Sequence, residues 1–229
     1  MKRTKAEQIR RYFIFLVGLF VNSLGVSLIT KGNLGTSPIS SIPYVLSLNF
    51  PFSLGNFTIV FSLLLIFFQF LLLGKNFKAE HLLQIPVSMA FGYFIDASMI
   101  LLGFVHPASY PAKVIGLLLG IGVYMEVLAD VVMLPGESFV RAVVFRIHSE
   151  FGFTKVCFDV SMAVIAAVLS FLLSGHLEGV REGTIVAAIL VGFIARGIGK
   201  RLSFLPVLLY GDDKKEEEKI EEELKDVVE

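Results

Sequence analysis

Six apolar segments, at about 12–31, 57–73, 82–102, 113–134, 156–174 and 183–203, run through the chain with short polar connections between them. Each is close to the ~20 residues that an α-helix needs to cross a ~30 Å hydrocarbon layer. Lipid offers backbone N–H and C=O groups no partners, so such segments must satisfy them internally as helices. The composition agrees: 55% of the 229 residues are hydrophobic and the mean hydropathy is +0.77. A soluble domain is excluded, and an all-α polytopic membrane protein is expected. A further stretch at 203–210 (SFLPVLLY) is too short to cross.

A formal charge of zero hides a strong asymmetry. Residues 1–11 carry Lys2, Arg3, Lys5, Arg10 and Arg11 against Glu7, whereas the tail at 211–229 carries ten acids against four lysines. The basic head, Lys75 with Lys78, Arg141 with Arg146 and Lys155, and Lys200 with Arg201 fall on one side of a six-span arrangement. Lys31, Lys113 and Arg181 fall on the other. Cytoplasmic connections are the basic ones, so a cell-membrane protein with both termini cytoplasmic is expected. The run Phe13 to Ile29 is long for a cleaved leader and no A-x-A follows it, so it is expected to stay as the first span.

The halves resemble one another. Shifted by 101 residues, LGTSPIS lies over PGESFVR, pairing Gly35 with Gly136 and Ser37 with Ser138; Phe52, Ser53 and Phe57 meet Phe153, Thr154 and Phe158; and FLLLG (70–74) meets FLLSG (171–175). With a shift of 100, FGYFI (91–95) meets VGFIA (191–195). Three spans per half, at 12–102 and 113–203, put the second copy through the membrane in the opposite sense. Such inverted repeats are common in secondary transporters, whose sites lie near the midplane where the halves meet.

Between the first and second spans of each half lies a segment too short to cross, expected as a helix at 36–48 and at 137–150. In the first, Thr36-Ser37-Pro38 reads as a helix start: a hydroxyl to cap the free N–H groups, then proline where its missing N–H costs nothing. Gly32 and Gly35 permit the turn before it. In the second, Pro135-Gly136 supplies the turn and Ser138 a cap. Each helix is either re-entrant, presenting N–H groups and the positive end of its dipole to a cavity, or surface-lying.

The stretches NLGTSPISSIPYVLS, GESFVRAVVFRIHSEFGFTKVCFDVSMAVI and GVREGTIVAAILVGFIARGI resemble the YczE/YyaS/YitT-type bacterial multipass membrane proteins. The likeness covers roughly residues 12–202 and is carried best by the glycine–proline turn after the first span and by KVCFDV in the fifth. It implies the multipass fold. The second turn, Gly136-Glu137-Ser138-Phe139, departs from the first in lacking a proline after the serine.

Ionisable residues inside a span are expensive and mark function or pairing. Glu126 and Asp130 share one face of the fourth span, where a proton or cation would relieve their mutual repulsion. Substrate or ion contacts are therefore expected from Glu126, Asp130, Gly35, Thr36, Ser37, Gly136, Glu137 and Ser138, with Asn22 of the first span as a lesser candidate. Asp96 and Arg196 occupy matching repeat positions and are expected as a structural ion pair, as is Lys155 with Asp159 at the start of the fifth span. Gly116 and Gly120 form a packing GxxxG.

No H-E-x-x-H, G-x-S-x-G, Walker A or C-x-x-C motif occurs, Cys157 is alone, and the four histidines lack metal spacing. No enzyme activity, metal or cofactor is expected. The expected partners are the lipid bilayer, a small solute or ion and a second copy of the chain, without nucleic acid. The expected function is transport of a small solute or ion from a midplane site; a scaffold acting through its acidic tail and a lipid translocator are the alternatives.

Overall fold

The structure is a computed structural model that describes residues 5–33, 35–103, 121–122, 125–126, 128–129, 131–181 and 184. The described residues form helices and turns, with no strand among them. The helices are α1 (Lys5–Lys31), α2 (Pro38–Asn49), α3 (Leu54–Leu73), α4 (Gln84–Leu101), α5 (Pro135–Ile147) and α6 (Phe151–Ser174). Two 3-10 turns, Gly74–Asn76 and Ala79–Leu83, join α3 to α4.

Four stretches are long and apolar enough to cross a membrane: Gln8–Lys31, Leu54–Asn76, Ala79–Leu101 and Phe151–Ser174. They correspond to the expected first, second, third and fifth spans, and they make this a helical membrane protein. Most of the fourth, all but Thr184 of the sixth, the acidic tail and the Gly116–Gly120 pair lie outside the described residues.

Local signals set the ends. Ser53 accepts the Asn56 N–H and so starts α3 before Phe57, and the left-handed Gly175 stops α6. The second and fifth segments, at 57–73 and 156–174 the shortest of the six apolar runs, gain an N-terminal turn each, Leu54–Asn56 and Phe151–Lys155, whose glycine and polar residues fall outside the apolar run. The short helices also shift. Helix α2 begins at Pro38, and the Ser37 hydroxyl makes no cap bond; it donates to Ser40 Oγ at 2.9 Å instead. Helix α5 begins earlier than expected, at Pro135 with Leu134 as N-cap, which puts Ser138 inside its first turn and removes it from the capping position.

α1 is the centre of what is described: 61% of its apolar window is buried, against 11% for α6. Phe15, Leu19, Val26, Leu28 and Ile29 of α1 form one core with Leu54, Phe91, Ile95 and Ala129. α3 and α4 run antiparallel in close contact. Gly55 sits against the Gly92 carbonyl and Asp96, while Gln69 further along reaches Gln84. Outward, α3 shows Phe67, Phe70 and Leu71, and α6 shows Val160, Val164, Phe171 and Leu172. Such faces are untenable in water and are what a lipid-facing helix requires.

The short helices are exchanged between the halves. α2 packs on α6, through the Ile42, Val45 and Ala166 cluster, Ser41 Oγ to the Met162 carbonyl at 3.4 Å, and Ser174 Oγ to Asn49 Oδ1 at 3.0 Å. α5 packs on α3 through Val140 and Leu65. Their N-terminal turns meet: Ile39 Cδ1 occupies the space where a side chain on Gly136 would go.

Candidate functional site

Among the described residues, three clusters of polar side chains are held by elements from both halves of the sequence. The first lies where α1 crosses residues 121–129. Asn22, 7% exposed, donates from Nδ2 to Glu126 Oε1 at 3.0 Å. The crossing is tight because both sides carry glycine. A Cβ on Gly18 would lie 2.7 Å from Met125 Cβ and 3.1 Å from Glu126 N, and one on Gly122 would lie 2.6 Å from Asn22 N. The contacts are reciprocal. Gly18 faces Glu126 and Gly122 faces Asn22, so G-x-x-x-N at 18–22 meets G-x-x-x-E at 122–126 in opposite directions. Arg11, 1% exposed, donates to the Ala129 carbonyl at 3.2 Å one end further along.

The second cluster surrounds the start of α5. Gln69 Nε2 donates to Gln84 Oε1 and to the Pro135 carbonyl, both at 3.1 Å. Its Oε1 accepts from Gln84 Nε2 at 3.2 Å and from Ser138 Oγ at 2.9 Å. Gln84 Nε2 also donates to Ser138 Oγ at 2.9 Å, which closes a ring of three buried side chains. Beside it, Glu137 lies within electrostatic reach of Glu126, Lys155, Arg141 and Asp159. The Lys155–Asp159 bridge expected from the sequence is present at 2.6 Å, and the remaining carboxylate oxygen, Asp159 Oδ1, is buried without a hydrogen bond among the described residues.

The third cluster surrounds the start of α2. Gly35 adopts φ +103°, open to glycine alone at this crowding, and a Cβ there would lie 2.5 Å from Thr184 Oγ1. Thr36 N–H donates to Thr184 Oγ1 at 3.2 Å, while its own hydroxyl, fully buried, has no hydrogen-bond partner among the described residues. The second and third clusters correspond: residues 84 and 184 lie near the starts of matching apolar segments, and Gln84 reaches Ser138 in the first turn of α5 while Thr184 reaches Thr36 just before α2.

Of the expected site residues, Asn22 pairs with Glu126, Ser138 joins the glutamine ring, Gly35 and Thr36 meet Thr184, and Gly136 meets Ile39. Asp130 and Arg196 lie outside the described residues. Asp96 is engaged at the start of α3, accepting from Ser53 Oγ at 2.6 Å and from Gly55 N–H at 2.9 Å, a carboxylate on a helix N-terminus. Sequence reasoning passed over Gln69, Gln84 and Arg11. The first was visible as the lone amide in LLLIFFQFLLLG; Arg11 looked like one more charge of the basic head.

Residues 9–200 match a family of unknown function, DUF6198. The chain belongs to that family. No curated protein and no solved structure matches it. The DUF6198 region runs from within α1 to residue 200, inside the sixth apolar segment, and so contains all three polar clusters, leaving out the acidic tail.

Proposed function

We propose that this DUF6198 protein is a cell-membrane transporter of a small solute or ion, akin to the YczE/YyaS/YitT-type proteins, with six spans in two inverted halves and both termini in the cytoplasm. The observation that carries the reading is the exchange of short helices. Each half lodges its short helix on the second span of the other, and the two N-terminal turns meet at Ile39 and Gly136. Short helices meeting end to end between repeats build the midplane sites of secondary transporters. The partnerless Thr36 hydroxyl and the first-turn N–H groups supply donors to a solute. Glu126, held by Asn22 at the crossing of α1 with the fourth segment, is the coupling carboxylate. Proteoliposomes holding the wild-type protein should show solute flux that depends on a proton or cation gradient. Glu126→Gln should abolish that flux while the protein stays folded by size-exclusion and thermal melting. Flux that survives the substitution sinks Glu126 as the coupling group; no flux across a broad solute panel sinks the transport reading.

One observation favours lipid as the cargo. An apolar groove of about 490 Å³ opens between α2, α3, α5 and α6, walled by Phe57, Phe61, Phe68, Phe139 and Phe158. A groove of that lining suits an acyl chain. A headgroup-quenching assay with fluorescent phospholipid in the same proteoliposomes separates lipid translocation from solute flux.

A further inference from the structure

A cavity of about 890 Å³ opens on the side of the α3–α4 connection, between that connection, residues 131–133 and α5. Its rim and wall carry Lys75, Lys78, His81 and Arg141, and its floor is formed by Gln84 and Ser138 of the glutamine ring. Among the described lining residues Lys75, Lys78 and Arg141 are basic, Glu80 is the acid and His81 adds an imidazole; Arg141 also lies within electrostatic reach of Glu137. Two of these side chains, His81 and Arg141, rest against aromatic neighbours. His81 Nδ1 bonds the Lys78 backbone at 3.1 Å and its ring stacks on Phe77 at 4.9 Å, which leaves Nε2 for the cavity. Arg141 lies over the Phe151 ring at 5.6 Å.

We infer that this vestibule binds a phosphate-bearing anion with an organic body: a phosphorylated small molecule, or the headgroup of an anionic phospholipid. Lysine and arginine converging on a concave site with low-dielectric walls focus their field on an anion, and Arg with Lys is the usual phosphate-binding pair. The volume falls within the ~300–1,000 Å³ of small-molecule pockets and exceeds what a bare phosphate fills. The site is separate from Glu126, so the basic and acidic groups of the chain serve different places: the anion enters at the vestibule, and the carboxylate at the α1 crossing handles the coupling ion. Treating the anion as cargo rests on the transport reading, whereas its binding does not.

The experiment uses the full chain in phosphatidylcholine nanodiscs and measures equilibrium binding of glycerol 3-phosphate and inorganic phosphate by calorimetry. Native mass spectrometry after reconstitution with phosphatidylglycerol counts retained lipid in parallel. Saturable phosphate-ester binding identifies a soluble ligand, and selective retention of phosphatidylglycerol identifies the lipid headgroup. Either should weaken about tenfold in the exposed pair Lys75→Gln/Lys78→Gln, the size expected of two partly exposed charge contacts, and recover in Lys75→Arg/Lys78→Arg. Indifference of the wild type to all three probes, or unchanged binding in the glutamine pair, overturns the inference. Glu126→Gln should bind as the wild type does. A wild-type protein that binds these probes yet shows no flux across the solute panel would keep the vestibule and discard the transporter.

Discussion

Gln69 carries the cost of an amide in a helix of leucine, isoleucine and phenylalanine, and an amide moved into hydrocarbon without partners costs several kcal/mol. The ring removes that cost, since both Nε2 protons and both Oε1 lone pairs of Gln69 are used. Gln69→Leu should therefore lower the stability by about 3 kcal/mol, because Gln84, Ser138 and the Pro135 carbonyl lose their partners while staying buried. Thermal melting in detergent reads this as a lower Tm. The triple variant Gln69→Leu/Gln84→Met/Ser138→Ala should recover most of the loss, since no buried polar side chain of the ring remains unpaired. A single variant that melts with the wild type would show the ring to be wet and dispensable. Sequence alone marks Gln69 as costly but does not give its partners. Gln84 is 15 residues away and Ser138 is 69 away, and an apolar helix carries no code for which neighbour it meets. For Asp96 the sequence points to the need for a partner; the N-terminus of α3 supplies one.

For the elements, glycine decides how close two helices come, and what a side chain would strike decides the penalty. Gly122 faces the backbone of α1, with Asn22 Cα at 2.7 Å from an added Cβ, whereas Gly136 faces the tip of Ile39. Backbone cannot step aside and a methyl tip can. Gly122→Ala should destabilise by the upper part of the ~1–3 kcal/mol that overpacking costs and should part Asn22 from Glu126. Gly136→Ala should cost less and be relieved by Ile39→Ala. Melting curves of these variants and their double mutant test the ranking, and equal penalties would refute it. The four spans among the described residues were legible, because lipid demands about twenty apolar residues and little else. The N-terminal turns of α3 and α6 were not, nor was the docking of α2 on α6. Hydropathy locates what is buried in lipid and says nothing of which helix lies beside it.

At the level of the whole molecule, the inverted six-span arrangement proposed above would fix which connections share a face. In a Cys157→Ser background, Asn76→Cys and Glu150→Cys should react only when an impermeant maleimide reaches the cytoplasmic side. Asn33→Cys and Leu177→Cys should react from outside intact cells. Asn33, Asn76, Glu150 and Leu177 are all exposed in the structure, so silence cannot be put down to burial. Labelling of Asn33→Cys and Asn76→Cys from the same side would collapse the inverted pairing on which the proposed site depends.

The lodging of α2 on α6 also has a temporal side. Asn49 ends α2 and Phe151 begins its support 102 residues later. At ~5–20 residues per second on the ribosome, that interval is roughly 5–20 s. Through it the newborn first half holds Thr36, Ser40 and Ser41 without the surface that will enclose them, so the insertion machinery, or a lipid standing in, must shelter those hydroxyls until synthesis catches up.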